Sequence, residues 1–107
     1  MLAVDKKNFD EEVLETSKNQ PVMVDFFSPS CEPCKELMPE VEALAEKYGD
    51  DMKFCKLDIT KARRLAIGQR VMGLPAMVFY KDGEKQDHLS GDDLTAEEIE
   101  EKIKEYV

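Results

Sequence analysis

The sequence predicts an α/β fold, a central mixed sheet of about five strands flanked by four helices. Three observations carry this expectation. Strand-length apolar runs at 22–27, 52–58 and 76–80 alternate with segments whose apolar residues recur at helical spacing. Such alternation gives parallel strands joined by crossover helices, which must cover both faces of the sheet. Late in the chain, Lys81-Asp82-Gly83-Glu84 carries the Asp-Gly signal of a hairpin, so the last strand is expected to run antiparallel. At 107 residues the chain has the length of one ordinary domain, expected to span 1–107, and can bury a core without staples.

Leu2 to Val4 can make a short first strand. Asn8 has the character of a helix N-cap, with Glu11 completing a capping box. Phe9, Val13 and Leu14 follow at helical spacing, so a first helix is expected to about Ser17, broken by Asn19-Gln20-Pro21. Residues 22–27 are apolar at nearly every position, as in a central strand covered on both faces, with Asp25 the exception. Leu37, Val41, Leu44, Ala45 and Tyr48 define one helical stripe, with Gly49 as its stop. Pro39 falls inside that helix, where it removes a backbone hydrogen bond and should kink the axis. Residues 52–58 read as the third strand. Thr60 is placed to cap a short helix through Leu65 and Ile67, closing near Gly68. Met72-Gly73-Leu74-Pro75 is a break before the buried strand 76–80, and 85–90 is polar enough for an edge strand. Thr95 and Glu98 form a capping box, and Leu94 with Ile99 can form a hydrophobic staple. They announce a last helix that buries Ile99, Ile103 and Tyr106.

The chemistry concentrates at Ser30-Cys31-Glu32-Pro33-Cys34-Lys35, between the second strand and the second helix. Two cysteines three positions apart can close a small disulfide ring where the chain turns into a helix. A cysteine at the helix start has its thiolate stabilised by unpaired backbone N–H groups and by the helix dipole. One turn on, Cys34 would lie beneath it, away from solvent. One exposed thiolate to attack and one shielded thiol to resolve is what a dithiol exchange catalyst needs, and C-x-x-C beside a βαβ pattern reads first as a redox motif. Half of a zinc site completed by Cys55 and His88 is the rival, weakened by the lack of a second C-x-x-C, and no metal is expected.

The net charge of −9 argues against nucleic acid and anionic membrane as partners. It is uneven: Lys53, Lys56, Lys61, Arg63, Arg64 and Arg70 face one acid, Asp58, so this window carries +5 and the remainder −14. Such a window is more often a solvated face, but it could dock an acidic electron donor. Met1-Leu2-Ala3-Val4 meets Asp5, Lys6 and Lys7 at once, so no signal peptide is expected. No apolar stretch approaches a membrane span. Three cysteines make a static disulfide framework unexpected, with Cys55 the small buried hydrophobe. The expectation is a soluble, cytoplasmic monomer. No nucleotide-phosphate loop or flavin motif is legible, so no cofactor is expected and electrons would come from a partner.

The order of elements, with C-x-x-C opening the second helix, resembles the thioredoxin family over essentially the whole chain. Asp25 matches the family's buried acid, Lys56 its strand lysine, and Pro39 its kinking proline. Leu74-Pro75 matches the segment with the family's cis-proline, Lys81 to Glu84 the hairpin turn after it, and Gly91 the glycine beside the active site. Two departures stand out: Ser30 replaces the flanking tryptophan, and Glu32 replaces the glycine between the cysteines.

The resemblance implies a thioredoxin fold and a protein-disulfide reductase, with Cys31 attacking a substrate disulfide and Cys34 resolving the mixed disulfide. A reductase, NADPH- or ferredoxin-linked, would recharge it. Desolvation should raise the pKa of Asp25 and make it a proton acceptor for Cys34, with Lys56 moderating the shift. The bland readings are an Asp25 at a wet strand end and a Lys56 on the surface. Residues alone favour a trans bond at Pro75, whereas the resemblance implies cis. Pro33, Ile59, Gly73, Leu74, Pro75 and Gly91 would then form the apolar rim that receives an extended substrate segment. The alternative is a binding module that keeps the fold as a docking surface. A disulfide-forming oxidase is disfavoured by the lack of an export signal.

Overall fold

A computed structural model describes residues Met1–Val107. Its strands are β1 (Leu2–Ala3), β2 (Val22–Phe27), β3 (Lys53–Asp58), β4 (Ala76–Lys81) and β5 (Glu84–Ser90). They form one sheet in the order β1-β3-β2-β4-β5. The first three pair in parallel, while β4 and β5 pair antiparallel, as alternation and the late hairpin require. Asp82 and Gly83 both take positive φ, 57° and 81°, the geometry a two-residue type I′ turn demands.

Period-two alternation sorts the strand residues onto two cores. Val22, Val24 and Phe26 of β2, Cys55 and Leu57 of β3, and Val78 and Tyr80 of β4 point to one face, against Phe9, Val13, Ala66 and Val71. Met23, Phe54, Met77 and Phe79 point to the other, against α1 (Glu32–Tyr48) and α3 (Ala96–Lys104). Leu37, Val41 and Leu44 are the buried stripe of α1, and Ile99 and Ile103 that of α3. Ala and Leu interiors make strong helices, but here the apolar stripes decide where they dock. The Thr95–Glu98 capping box forms in both directions, and Leu94 packs into the same core as Ile99.

Two local expectations are corrected. Asn8 does not cap forward: its Oδ1 accepts from the Asp5 N–H, while Asp5 Oδ1 accepts from Lys7 N–H and Asn8 N–H. The helix that follows is wide, with π-helical turns over Asp10–Glu15 and a tight 3₁₀ turn over Thr16–Lys18. Thr16 Oγ1 donates to the Glu11 carbonyl and Ser17 Oγ to that of Leu14, side-chain competition that suits an irregular helix. Ser17 also ties this segment to the hairpin, accepting the Gly83 N–H. Thr60 is likewise not a cap. Asp58 accepts its N–H and starts a 3₁₀ turn (Ile59–Lys61), and α2 (Arg63–Gly68) begins from Ala62 without a side-chain cap. Gly49 ends α1 as expected, though with φ −62° rather than as a left-handed cap.

Candidate active site

The parallel strands β2 and β3 end, and the antiparallel β4 begins, at the same edge of the sheet, because Phe27 pairs with Asp58 and Phe26 with Ala76. At this edge the chain leaves β2 through Ser28-Pro29-Ser30 and enters α1. Cys31 is the N-cap of α1: its backbone is extended, its carbonyl accepts from Lys35 N–H, and its sulfur accepts from the Cys34 N–H at 3.3 Å. Unpaired N–H groups and the helix dipole therefore point at the Cys31 sulfur and favour negative charge there in the reduced form. Pro33 in the first turn costs nothing, since its missing N–H would have no helical partner. The two cysteines form a disulfide with Cα atoms 5.3 Å apart. Cys34 is only 3% exposed, whereas Cys31 is half-buried. The asymmetry expected of an attacking and a resolving sulfur is thus present.

Asp25 is 2% exposed, on the α1-facing side of β2 between the partners Lys56 and Met77. Its Oδ1 is buried without a hydrogen-bond partner. Burial pushes its carboxyl up to about 7; Lys56 pulls it down and Glu42 pushes it further up. The wet strand-end reading of Asp25 is therefore wrong. Lys56 is half-buried and faces it. A cavity of about 440 Å³ lies beside the dithiol, with Phe27, Cys34, Lys35, Lys56 and Glu42 among its lining residues. Cys34, Met38 and Glu42 lie four residues apart and so share a face of α1. That spacing was a legible signal for Glu42, which the sequence reading missed.

The rim residues converge on the same edge. Leu74-Pro75 is a cis peptide that leads into β4. Gly91 follows β5 with φ 127° and donates its N–H to the Pro75 carbonyl at 3.1 Å. The left-handed φ is what calls for glycine; the one close neighbour of a Cβ there, the exposed Asp93 carboxylate at 3.0 Å, could swing aside. Pro33, Ile59 and Leu74 are half-buried, Pro75 is buried, and Gly73 is exposed. Next to Gly73 the sequence reading overlooked Met72, which is 84% exposed. Cys55 sits in the core on the opposite sheet face from Asp25, and burial pushes its thiol up to about 11. His88 lies on β5 with its Nδ1 2.9 Å from Lys85 Nζ, so neither joins the dithiol. Glu32, the departure next to Cys31, is paired with Lys35 at 3.3 Å.

No helix is long and apolar enough to cross a membrane. Residues 1–105 match the family described as Thioredoxin. The chain is 48% identical over 107 residues to a thioredoxin of Acetoanaerobium sticklandii, covering all of both chains. It is 45% identical over 107 residues to a thioredoxin of Peptoclostridium acidaminophilum, covering all of this chain and 96% of that one. Among solved structures, Fasciola hepatica thioredoxin superposes with a TM-score of 0.89 at 30% identity, over the full length of both chains. A capped, half-buried cysteine joined to a buried one is the redox-active pair of a protein-disulfide oxidoreductase, and this chain belongs to the thioredoxin family.

Proposed function

We propose that residues 1–107 form one thioredoxin domain that reduces protein disulfides through Cys31 and Cys34, with the proton handled by Asp25. The Cys31 thiolate attacks one sulfur of a substrate disulfide; a mixed disulfide forms and the other substrate sulfur leaves as a thiolate. Asp25, facing Lys56, takes the Cys34 proton. Cys34 then attacks the Cys31 sulfur, and the second substrate sulfur leaves. Two electrons have passed to the substrate and the Cys31–Cys34 disulfide remains. The observation that carries this reading is a buried carboxyl, pushed up to about 7, on the strand beneath a disulfide whose half-buried partner caps a helix. A group with that affinity for protons can accept one at neutral pH and release it again.

The roles extend along the site. Lys56 keeps Asp25 from being too basic to recycle. Pro33, Ile59, Gly73, Leu74, Pro75 and Gly91 form the rim against which an extended substrate segment lies, with the backbone of Leu74 pairing to it. A reductase, drawing on NADPH or ferredoxin, returns the disulfide to the dithiol. In this reading the protein is a monomeric electron carrier of the cytoplasm that serves cell redox homeostasis. The test is trapping. Cys34→Ser should accumulate a mixed disulfide with substrate, visible by mass spectrometry, whereas Cys31→Ser should form none. Cys55→Ala should turn over normally. Loss of activity in Cys55→Ala with retention in Cys34→Ser would overturn the assignment. A reduction potential near the roughly −270 mV of thioredoxins supports a reductase, and one near roughly −120 mV marks an oxidase instead.

A further inference from the structure

Away from the chain ends, two large apolar side chains stand in solvent, Ile67 at 63% and Met72 at 84% exposure. Ile67 belongs to the stretch that carries the excess of positive charge, and Met72 stands two residues beyond its last arginine. On α2, Arg63 and Arg64 lie four and three residues before Ile67 and share its outer face, while Ala66 turns to the core. A concavity of about 280 Å³ beside them gathers Lys6, Lys61, Arg63 and Arg64, with no acid in its lining. Lys61 also lines a second concavity of about 210 Å³ that reaches Phe27 and Lys56 at the dithiol edge, along with Asp5 and Asp58. None of Lys61, Arg63, Arg64 and Arg70 takes part in an ion pair, although lysines elsewhere do. Met72 leads directly into Gly73-Leu74-Pro75 and so stands beside the rim, while Lys61 carries the basic face to the dithiol edge.

We propose that this face docks protein substrates whose disulfide is flanked by Asp or Glu, with an apolar substrate side chain seated on Ile67 and Met72. The proposal rests on the exchange reading above. Lys6, Lys61, Arg63 and Arg64 gather here on a chain of net charge −9, so an acidic substrate is repelled by most of the surface and attracted at this place. Attraction and repulsion together would orient it with its disulfide toward Cys31.

The test uses three synthetic disulfide peptides that differ only in the residues flanking the cystine: Glu, Gln or Lys. The full-length protein, recycled by excess dithiol, is assayed for kcat/KM on each. Net charge alone ranks them Lys, Gln, Glu. The docking face reverses this order. Three or four exposed pairs of ordinary strength give the Glu peptide an advantage of about fivefold or more over the Lys peptide at low salt. The advantage should collapse near 0.5 M salt, where screening is felt within about 4 Å, a measurement that needs no variant. Arg63→Glu with Arg64→Glu should return the ranking to Lys first and leave the Gln peptide within about twofold. Met72→Ser should slow the Glu peptide without altering its salt dependence. A Lys peptide reduced fastest by the unaltered protein, equal rates for all three, or a Glu preference that survives the double reversal overturns the docking face alone. Failure to reduce even the Gln peptide overturns the exchange reading with it.

Discussion

Replacing Asp25 with Asn keeps the shape of the side chain and removes its ionisation, so the variant isolates what the buried carboxyl does to stability. Its pKa is raised from 3.8 to about 7, chiefly by burial. The sign follows from linkage: the folded chain holds this proton more tightly than the unfolded chain does. The stability contributed by the neutral form is therefore fully present below about pH 4 and is lost as pH rises through about 7. At about 1.4 kcal/mol per unit, the whole shift corresponds to about 4 kcal/mol above the folded value. Integrated from about pH 4.5 to about pH 8.5, the penalty on the wild type grows by about 3 kcal/mol. The stability of Asp25→Asn relative to wild type should rise by that amount over the interval, since the other carboxylates titrate in both proteins and cancel. Urea titrations of the oxidised proteins, read by far-UV circular dichroism because the chain has no tryptophan, measure the difference. A difference flat to within about 0.5 kcal/mol refutes the reasoning, for it means that the carboxyl is charged and well solvated in the fold. In kinetics, the same variant should slow resolution of the mixed disulfide at neutral pH and erase the inflection near 7.

Glu42→Gln removes a charge that pushes Asp25 up and leaves Lys56 and Lys35 at the cavity unopposed by it. The inflection of the resolution rate should move to lower pH by a fraction of a unit. Glu42→Asp should restore it, and an unmoved profile in Glu42→Gln excludes Glu42 as a positioning residue. Thr95→Ala removes the Oγ1 that accepts the Glu98 N–H, leaves the backbone N–H of residue 95 to Glu98, and should cost about 0.5–2 kcal/mol in denaturant titrations with the exchange rate unchanged. Ser30→Trp with Glu32→Gly should enlarge the apolar area beside Cys31 and broaden the range of protein disulfides reduced. The rise in Cys31 thiolate, read from the pH dependence of alkylation, should be small, because Glu32 is already paired with Lys35. A narrower range counts against this account of the two departures.

What could be read in advance depended on whether the signal was periodic or a matter of reach. The strands and the stripes of α1 and α3 were legible because burial imposes periods of two and about 3.6 on the apolar residues. Asp25 stood out for the same reason, as a carboxylate inside an apolar strand. Caps were less legible. Asn8 and Thr60 have the right residue type, but Asp5 and Asp58 open the turn earlier, accepting the N–H groups of Lys7 and Asn8 and of Thr60, and residue type alone cannot tell where a turn starts. The cis bond at Pro75 is invisible in local residues, which favour trans; only likeness to a family supplied it. Glu42 shares the four-residue spacing of Cys34 and Met38, but an exposed glutamate on a helix is ordinary until a strand places a buried carboxyl across from it. Met72 was hidden because an apolar residue in a break looks like core until the chain is folded.

The sulfur that attacks is also the group that caps α1. Redox state and helix stability therefore share an atom, and a closed thermodynamic cycle joins them. Whatever makes the reduced fold more stable relative to the oxidised one makes the disulfide easier to reduce by an equal free energy, about 30 mV for each 1.4 kcal/mol in a two-electron couple. A thiolate is a stronger acceptor for first-turn N–H groups than a sulfur bound in a disulfide. The long helix behind Cys31 thus works as a weight on the redox balance. Changes far along it that loosen its first turn should shift the potential without touching either cysteine, and evolution can tune the donor strength of this carrier from positions that no substrate ever meets.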